Sequence, residues 1–276
     1  MRRYLLCFFC LIFIFFQLKG QRNNKVYQDM KEALAHPSEV YRLKLAHRRM
    51  DSLCRDIAKL SNLEELDLNN NDLQSLPRQI GQLRNLKILN LFHNKLKTLP
   101  EEIGALINLE HLFLSSNELK LLPAGIGGCL NLKELSVRDN KLTELPEQIG
   151  KLCKLEQLFL SYNNLERITP ALGLCTRLEH VYLNNNFIHA LPPEIGNLKN
   201  LRFLYIGKNM LDNIPVEICK LEKLQELDLA YSGNIGTLAS CLAGLSTLDL
   251  LYIDNYSAPP YSLAARRNFR LRIITK

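Results

Sequence analysis

One spacing constrains this chain more than its composition does. Asn71, Asn94, Asn117, Asn140, Asn163, Asn186 and Asn209 recur every 23 residues without an insertion among them. The unit from Leu63 to Asn85 reads L-E-E-L-D-L-N-N-N-D-L-Q-S-L-P-R-Q-I-G-Q-L-R-N, and its neighbours are variations on it. A fixed period of this length predicts a solenoid, a continuous coil in which each unit packs only on the units beside it.

The residues within one unit explain how such a coil closes. Leu66 and Leu68 alternate as the inward side chains of a short strand do, which turns Asp67 to the outer side of the sheet. Asn71 then turns the chain. Its carboxamide has both donors and an acceptor, so stacked copies can satisfy turn backbone that no strand ladder reaches. Leu73 and Leu76 point back inside. Pro77 fixes φ where a short helical or 3₁₀ segment begins, and Ile80 and Leu83 supply the inner face of that segment. A single coil cannot bury these groups. A stack can, at roughly 1.5–3 kcal/mol for each fully buried Leu or Ile, enough to offset the ordering entropy.

The pattern L-x-x-L-x-L-x-x-N-x-L resembles the leucine-rich repeat. The second half of each unit, L-x-x-L-P-x-x-I-G-x-L, is similar to the subclass found in Ras-suppressor-type proteins and in many bacterial repeat proteins. The resemblance covers residues 40 to about 253. It implies an α/β solenoid: a right-handed horseshoe with about ten short parallel strands on its concave face and helical or 3₁₀ segments on its convex face. By the same resemblance the chain is a recognition scaffold. Exported bacterial members of this kind often contact host proteins or components of the cell's own envelope.

The flanks divide the chain into a leader (1–20), a helical cap (21–39), the solenoid (40–253) and a closing tail (254–276). Met1-Arg2-Arg3 followed by the apolar run Tyr4 to Phe16 matches a secretory signal peptide ending near Gly20, and the run is short for a bilayer span. A retained amino-terminal anchor is the alternative, because Leu18 is larger than the cleavage site prefers. Val26, Tyr27, Met30, Ala33 and Leu34 recur at helical spacing until His36-Pro37, as an amphipathic cap over the open core would. The first coil, from Val40, carries Arg48 in the asparagine slot and Cys54 in the proline slot. The coil from Leu224 places Ser232 in the asparagine slot and has one extra residue within Ser232-Gly233-Asn234. Leu248, Leu251 and Ile253 then suggest a tenth strand, and Leu271, Ile273 and Ile274 a closing one.

Charge and cysteine content narrow the function. Losing Arg2, Arg3 and Lys19 with the leader takes the formal charge from +7 to +4, and the basic residues are scattered among acidic ones. No basic stripe points to nucleic acid. Cys129 and Cys175 occupy the slot of Leu83 and read as small core hydrophobes, about 10 Å apart at strand spacing and beyond disulfide reach. Cys153 faces away from both, and Cys219 with Cys241 is the one pair left open. No phosphate loop, nucleophile elbow or HExxH motif is present, and the CxxC spacing of Cys7 and Cys10 falls inside the apolar run of the leader. His111 and His180 hold equivalent slots about 14 Å apart, too far to share a metal. The expectation is therefore no enzyme, no cofactor and no metal.

The outward side of the strands is where the sequence departs from structural need. The residue between the two strand leucines runs Lys44, Asp67, Asn90, Phe113, Ser136, Phe159, Tyr182, Tyr205, Asp228 and Tyr252. With Phe92 and Phe203 from the rows beside it, this predicts an exposed aromatic band from the third strand to the eighth. Contiguous exposed apolar surface marks interaction sites, although a parallel sheet can carry such a row for packing alone. Arg138, framed by Phe113 and Phe159, is the expected polar anchor for a partner carboxylate. An ion pair with Glu134 or Asp139 is its competing role. The partner-binding set is then Phe92, Phe113, Arg138, Phe159, Tyr182, Phe203 and Tyr205. The expected protein is an exported, monomeric, non-enzymatic scaffold for a protein or peptide ligand, with no nucleic acid bound and no membrane insertion of the mature chain. A glycan-binding module and an intracellular signalling adaptor with a mis-assigned leader are the alternatives.

Overall fold

The computed structural model describes residues 25–233, 242, 244–254 and 272–275. Among these residues the chain forms one open sheet of eleven parallel strands stacked in sequence order. They are β1 (Arg42–Lys44), β2 (Glu65–Asp67), β3 (Ile88–Asn90), β4 (His111–Phe113), β5 (Glu134–Ser136) and β6 (Gln157–Phe159). There follow β7 (His180–Tyr182), β8 (Phe203–Tyr205), β9 (Glu226–Asp228), β10 (Leu250–Ile253) and β11 (Arg272–Thr275). Register repeats the sequence period: Leu66 lies beside Leu89, which lies beside Leu112. These leucines are fully buried, as are Leu68, Leu91 and Leu114 two residues further on. The sheet lines the concave face of the solenoid.

The convex side is built from five-residue 3₁₀ segments such as Arg78–Gln82 and Glu147–Lys151. A proline stands immediately before six of them with φ between −71° and −64°, so the entry angle is preset. Segments this short do not repay the nucleation of an α-helix, which is why the helical-or-3₁₀ alternative resolves to 3₁₀. Successive segments lie very close together. A Cβ on Gly104 would stand 2.1 Å from the Gly125 carbonyl oxygen, so glycine is required there by space.

The asparagines hold neighbouring coils together. The Asn163 carboxamide donates to the carbonyls of Val137 (2.8 Å) and Leu160 (3.0 Å), and its oxygen accepts from the Leu142 N–H (3.0 Å). The same arrangement runs through Asn94, Asn117 and Asn186. Ser232 keeps part of it, donating to the Ile206 carbonyl at 2.9 Å. The residue before each of these asparagines, and before Ser232, is left-handed, with φ from +53° to +60° at Asn70, His93, Ser116, Asp139, Tyr162, Asn185, Lys208 and Tyr231. Cross-coil bonds hold this bend, as from Tyr162 N–H to Asn184 C=O (2.9 Å).

At the amino-terminal end, the structure differs from the expected helix. Helix α1 covers only Met30–Ala35, capped by the Asp29 side chain bonding the Glu32 N–H at 2.9 Å. Tyr27 is extended because both its backbone groups bond strand β1, at Arg42 C=O (3.0 Å) and Lys44 N–H (2.8 Å). That pairing covers an edge that would otherwise stay open. At the other end β11 pairs with β10 in parallel, Ile273 beside Leu251 and Ile274 beside Tyr252. The leader, Asn234 and Leu271 lie outside the described residues.

Cys129 and Cys175 are buried free thiols, and burial pushes each up to about 12. Cys54 and Cys153 are exposed and free. Cys219 is disulfide-bonded; Cys241, the other member of the pair left open, lies outside the described residues. Among the described residues no helix is long and apolar enough to cross a membrane, and no group of three or more His, Cys, Asp and Glu could hold a metal ion.

Candidate partner-binding surface

Strand register puts Phe159 beside Tyr182 and Tyr182 beside Tyr205 on the concave face. The ring centroids are 4.9 Å apart at both steps, with interplanar angles of 14° and 4°. That spacing matches the distance between neighbouring strands, so the sheet sets the stack and the rings stand on edge like pages. Their faces cover one another and their edges meet solvent. A second pair, His180 and Phe203, stacks beside the column at 4.6 Å and 12°. Burial holds the His180 imidazole below its ordinary value, with neighbouring Arg202 acting in the same direction and Glu179 against it. Tyr205 closes the column by donating its hydroxyl to a Glu226 carboxylate oxygen. Burial first, then that carboxylate, raises the phenol well above its ordinary range.

The expected continuous band is interrupted. Phe113 is only 4% exposed and contributes floor rather than surface. Its in-register neighbours are Asn90 and Ser136, so no ring is available across the sheet and it stacks on His111 of its own strand, 6.3 Å away. Phe92 is half-buried and tilted against His93 at 6.0 Å. The contiguous rings therefore run from β6 to β8.

Arg138 is half-buried and takes neither of the acids considered for it. Glu134 lies 3.1 Å from His111 Nδ1, and Asp139 accepts from the Ser116 hydroxyl at 2.9 Å. The Arg138 guanidinium sits instead 5.9 Å from the ring centroid of Tyr162, with no acidic partner among the described residues. Its backbone N–H donates to Ser115 Oγ at 3.1 Å, and Ser115 and Ser136 share a hydrogen bond of 2.8 Å.

Reading outward strand positions alone misses the rim where each strand turns away. Tyr162 and Tyr231 stand in the left-handed row, and Phe187 and Met210 follow the next asparagines; all four are between 44% and 49% exposed. Earlier coils place charges in the Phe187 row, with Lys95 on Asp72 (2.7 Å) and Lys141 on Glu118 (3.0 Å). The change from paired charge to exposed apolar side chains along that row is the signal that could have found them.

Profile comparison matches residues 38–96 and 176–234 to the leucine rich repeat, 130–173 to paired leucine rich repeats and 108–129 to a single leucine rich repeat. The chain belongs to the leucine-rich repeat family. This leucine-rich repeat chain matches no curated protein sequence, but it is similar to many solved structures. The Leptospira interrogans LRR protein LIC12759 is 29% identical over 92% of this chain and 78% of its own, with a TM-score of 0.63. The PEPR1–AtPEP1 complex gives 29% identity over 82% of this chain and 33% of that one, with a TM-score of 0.71. The plant peptide hormone receptor RGFR1, solved in complex with RGF2, gives 26% identity over 94% and 49%, with a TM-score of 0.59. This chain thus spans most of the leptospiral protein and under half of the other two. Leucine-rich repeat folds of this kind are typically non-enzymatic scaffolds that bind protein or peptide ligands.

Proposed function

We propose that this protein is an exported recognition scaffold that binds a protein or peptide ligand on its concave face. The observation carrying the proposal is the stacked column Phe159–Tyr182–Tyr205, which stands on the solvent side of the sheet with no part in the leucine core. Phe203 and Arg138 flank it, and Phe92 and Phe113 lie further along the same face toward the amino-terminal end. Rings presented on edge offer apolar contact and little freedom to lose, as interface anchors require. The same geometry counts against a glycan platform, which needs open ring faces and often tryptophan, absent here.

Export is supported by the charged-then-apolar leader and by the disulfide at Cys219, a bond that persists in oxidising compartments. An intracellular adaptor would need that bond reduced and the leader untranslated. The ligand-bound relatives support the peptide or protein class, and the protein acts as a monomer without cofactor or nucleic acid.

Replacing Phe159, Tyr182 and Tyr205 together by serine tests the surface. Circular dichroism should hardly change, while capture of the native partner from the extracellular fraction should fail. Undiminished capture by the folded variant would reject this face.

A further inference from the structure

Pairing of surface charges follows the coil period. From the residue before each strand to the residue after each asparagine, the seven coils starting at Leu63 carry seven lysines and arginines. Five of them pair with the acid 23 residues earlier, such as Lys133 with Glu110 at 2.6 Å and Arg202 with Glu179 at 3.6 Å. Arg138 and Lys208 break the rule. Twenty-three residues before them stand Ser115 and Asn185; 23 residues after them stand Ser161 and Tyr231. Neither cation has an acidic partner among the described residues.

These two cations are three coils apart, about 14 Å at strand spacing. The exposed apolar rim lies alongside: Tyr162 under the Arg138 guanidinium, Phe187 in the next coil and Met210 two residues after Lys208. An apolar strip with an unpaired cation at each end is complementary to a ligand with the reverse arrangement. An extended peptide advances about 3.4 Å per residue, so about four residues span the cations.

We propose that the rim from Arg138 to Lys208 binds an extended acidic peptide segment, lying across the strands, with two carboxylates four residues apart and an apolar side chain between them. This rests on the concave face being the binding face and names the ligand class it takes. Arg138 pairs one carboxylate, Lys208 pairs the other, and the central side chain packs on Tyr162 and Phe187. Charge-assisted bonds at the two ends fix the register of the segment.

The test is an array of synthetic Gly/Ser peptides carrying a central leucine and two glutamates at separations from two to eight, probed with the full-length protein. Binding should peak at a separation of four and vanish when lysines replace the glutamates. Arg138→Gln and Lys208→Gln should each weaken the best peptide about tenfold, the size of one lost charge-assisted contact, and flatten the separation profile. Binding indifferent to separation or to charge sign, or no binding at any separation, overturns the proposal. The serine triple variant distinguishes the two readings. If native partner capture needs the ring column but survives both glutamine variants, the acidic-segment proposal fails and the concave site stands.

Discussion

Asn163→Leu tests whether the asparagines hold the coils together or merely accompany the turn. Leucine has the branching and heavy-atom count of asparagine but more volume, so the change removes the hydrogen bonds and adds some crowding. It leaves the Leu142 N–H without its side-chain partner at a site 4% exposed, and removes one of two side-chain donors from the Val137 and Leu160 carbonyls, which keep Asn140 (3.4 Å) and Asn186 (3.0 Å). The unpaired buried N–H costs about 1–3 kcal/mol and each carbonyl that loses one of its two donors costs a fraction of that, so the fold should be destabilised by about 2–4 kcal/mol. Because stability in a solenoid is a sum of neighbour terms, the loss should concentrate at the junction between the coils from Leu132 and Leu155. Urea unfolding followed by circular dichroism measures it, and hydrogen exchange at the Leu142 amide locates it. Asn163→Asp adds a check of sign. The aspartate keeps the acceptor for Leu142 but turns an acceptor toward two carbonyls, so the folded state favours its protonated form. A group with a raised folded pKa stabilises below its unfolded value, near 3.9, and loses that contribution as pH rises through the folded value. Relative to wild type, Asn163→Asp should therefore weaken from about pH 4 toward neutrality. A loss under about 1 kcal/mol for Asn163→Leu, or an aspartate variant indifferent to pH, would refute the ladder as a structural element.

Two further outcomes follow from the same geometry. Burial and neighbouring Arg202 lower the His180 pKa, so the fold prefers the neutral ring; NMR titration should place its midpoint below the ordinary 6.5, and the stability it contributes should be lost as pH falls below that value. A midpoint above 6.5 would contradict the packed His180–Phe203 stack. Gly104→Ala should destabilise by about 1–3 kcal/mol because its Cβ meets a backbone carbonyl. Gly244→Ala, with nothing within 4 Å of the added carbon, should leave the urea midpoint nearly unchanged; equal effects of the two would remove the close-approach argument.

What the sequence makes legible here is what one coil decides by itself. Leu66 and Leu68 alternate, Asn71 carries the right donors and Pro77 presets φ, so strand, turn and 3₁₀ entry can be written from 23 letters. What it hides is decided between coils. Phe113 is aromatic like Phe159, yet it is buried, and its neighbours a coil away on each side are Asn90 and Ser136 rather than rings. Whether Arg138 pairs with Glu134 or Asp139 depends on His111 and Ser116 reaching those acids first. The left-handed bend is hidden differently. Asn70 and Asp139 suit it, but Tyr162 and Lys208 carry no local mark of it, because cross-coil hydrogen bonds enforce the conformation. At the amino-terminal end, Val26 and Tyr27 fit a helical period, and pairing with β1 overrides it.

The outward residues of this solenoid are divided along its length. Toward the amino-terminal end the concave face neutralises itself: Glu65 lies against Arg42 (3.5 Å) and Lys44 (4.0 Å), Lys87 against Glu64 (2.8 Å) and His111 against Glu134. Burial still holds the Glu65 carboxyl above its ordinary range, with the two cations opposing it. From β6 to β8 the same backbone carries stacked rings, and the adjoining rim exchanges paired charge for Tyr162, Phe187 and Met210. The leucine core is the same in both halves, so core packing cannot be the cause of the difference. Nearest-neighbour stability leaves each outward row free to vary provided neighbouring coils satisfy each other, and in the first half they do so with charge pairs. In the second half the rings satisfy each other face to face, while Arg138, over the Tyr162 ring, and Lys208 have no acidic partner among the described residues. An interface that excludes water over apolar edges and supplies two carboxylates would complete that half as the ion pairs complete the other.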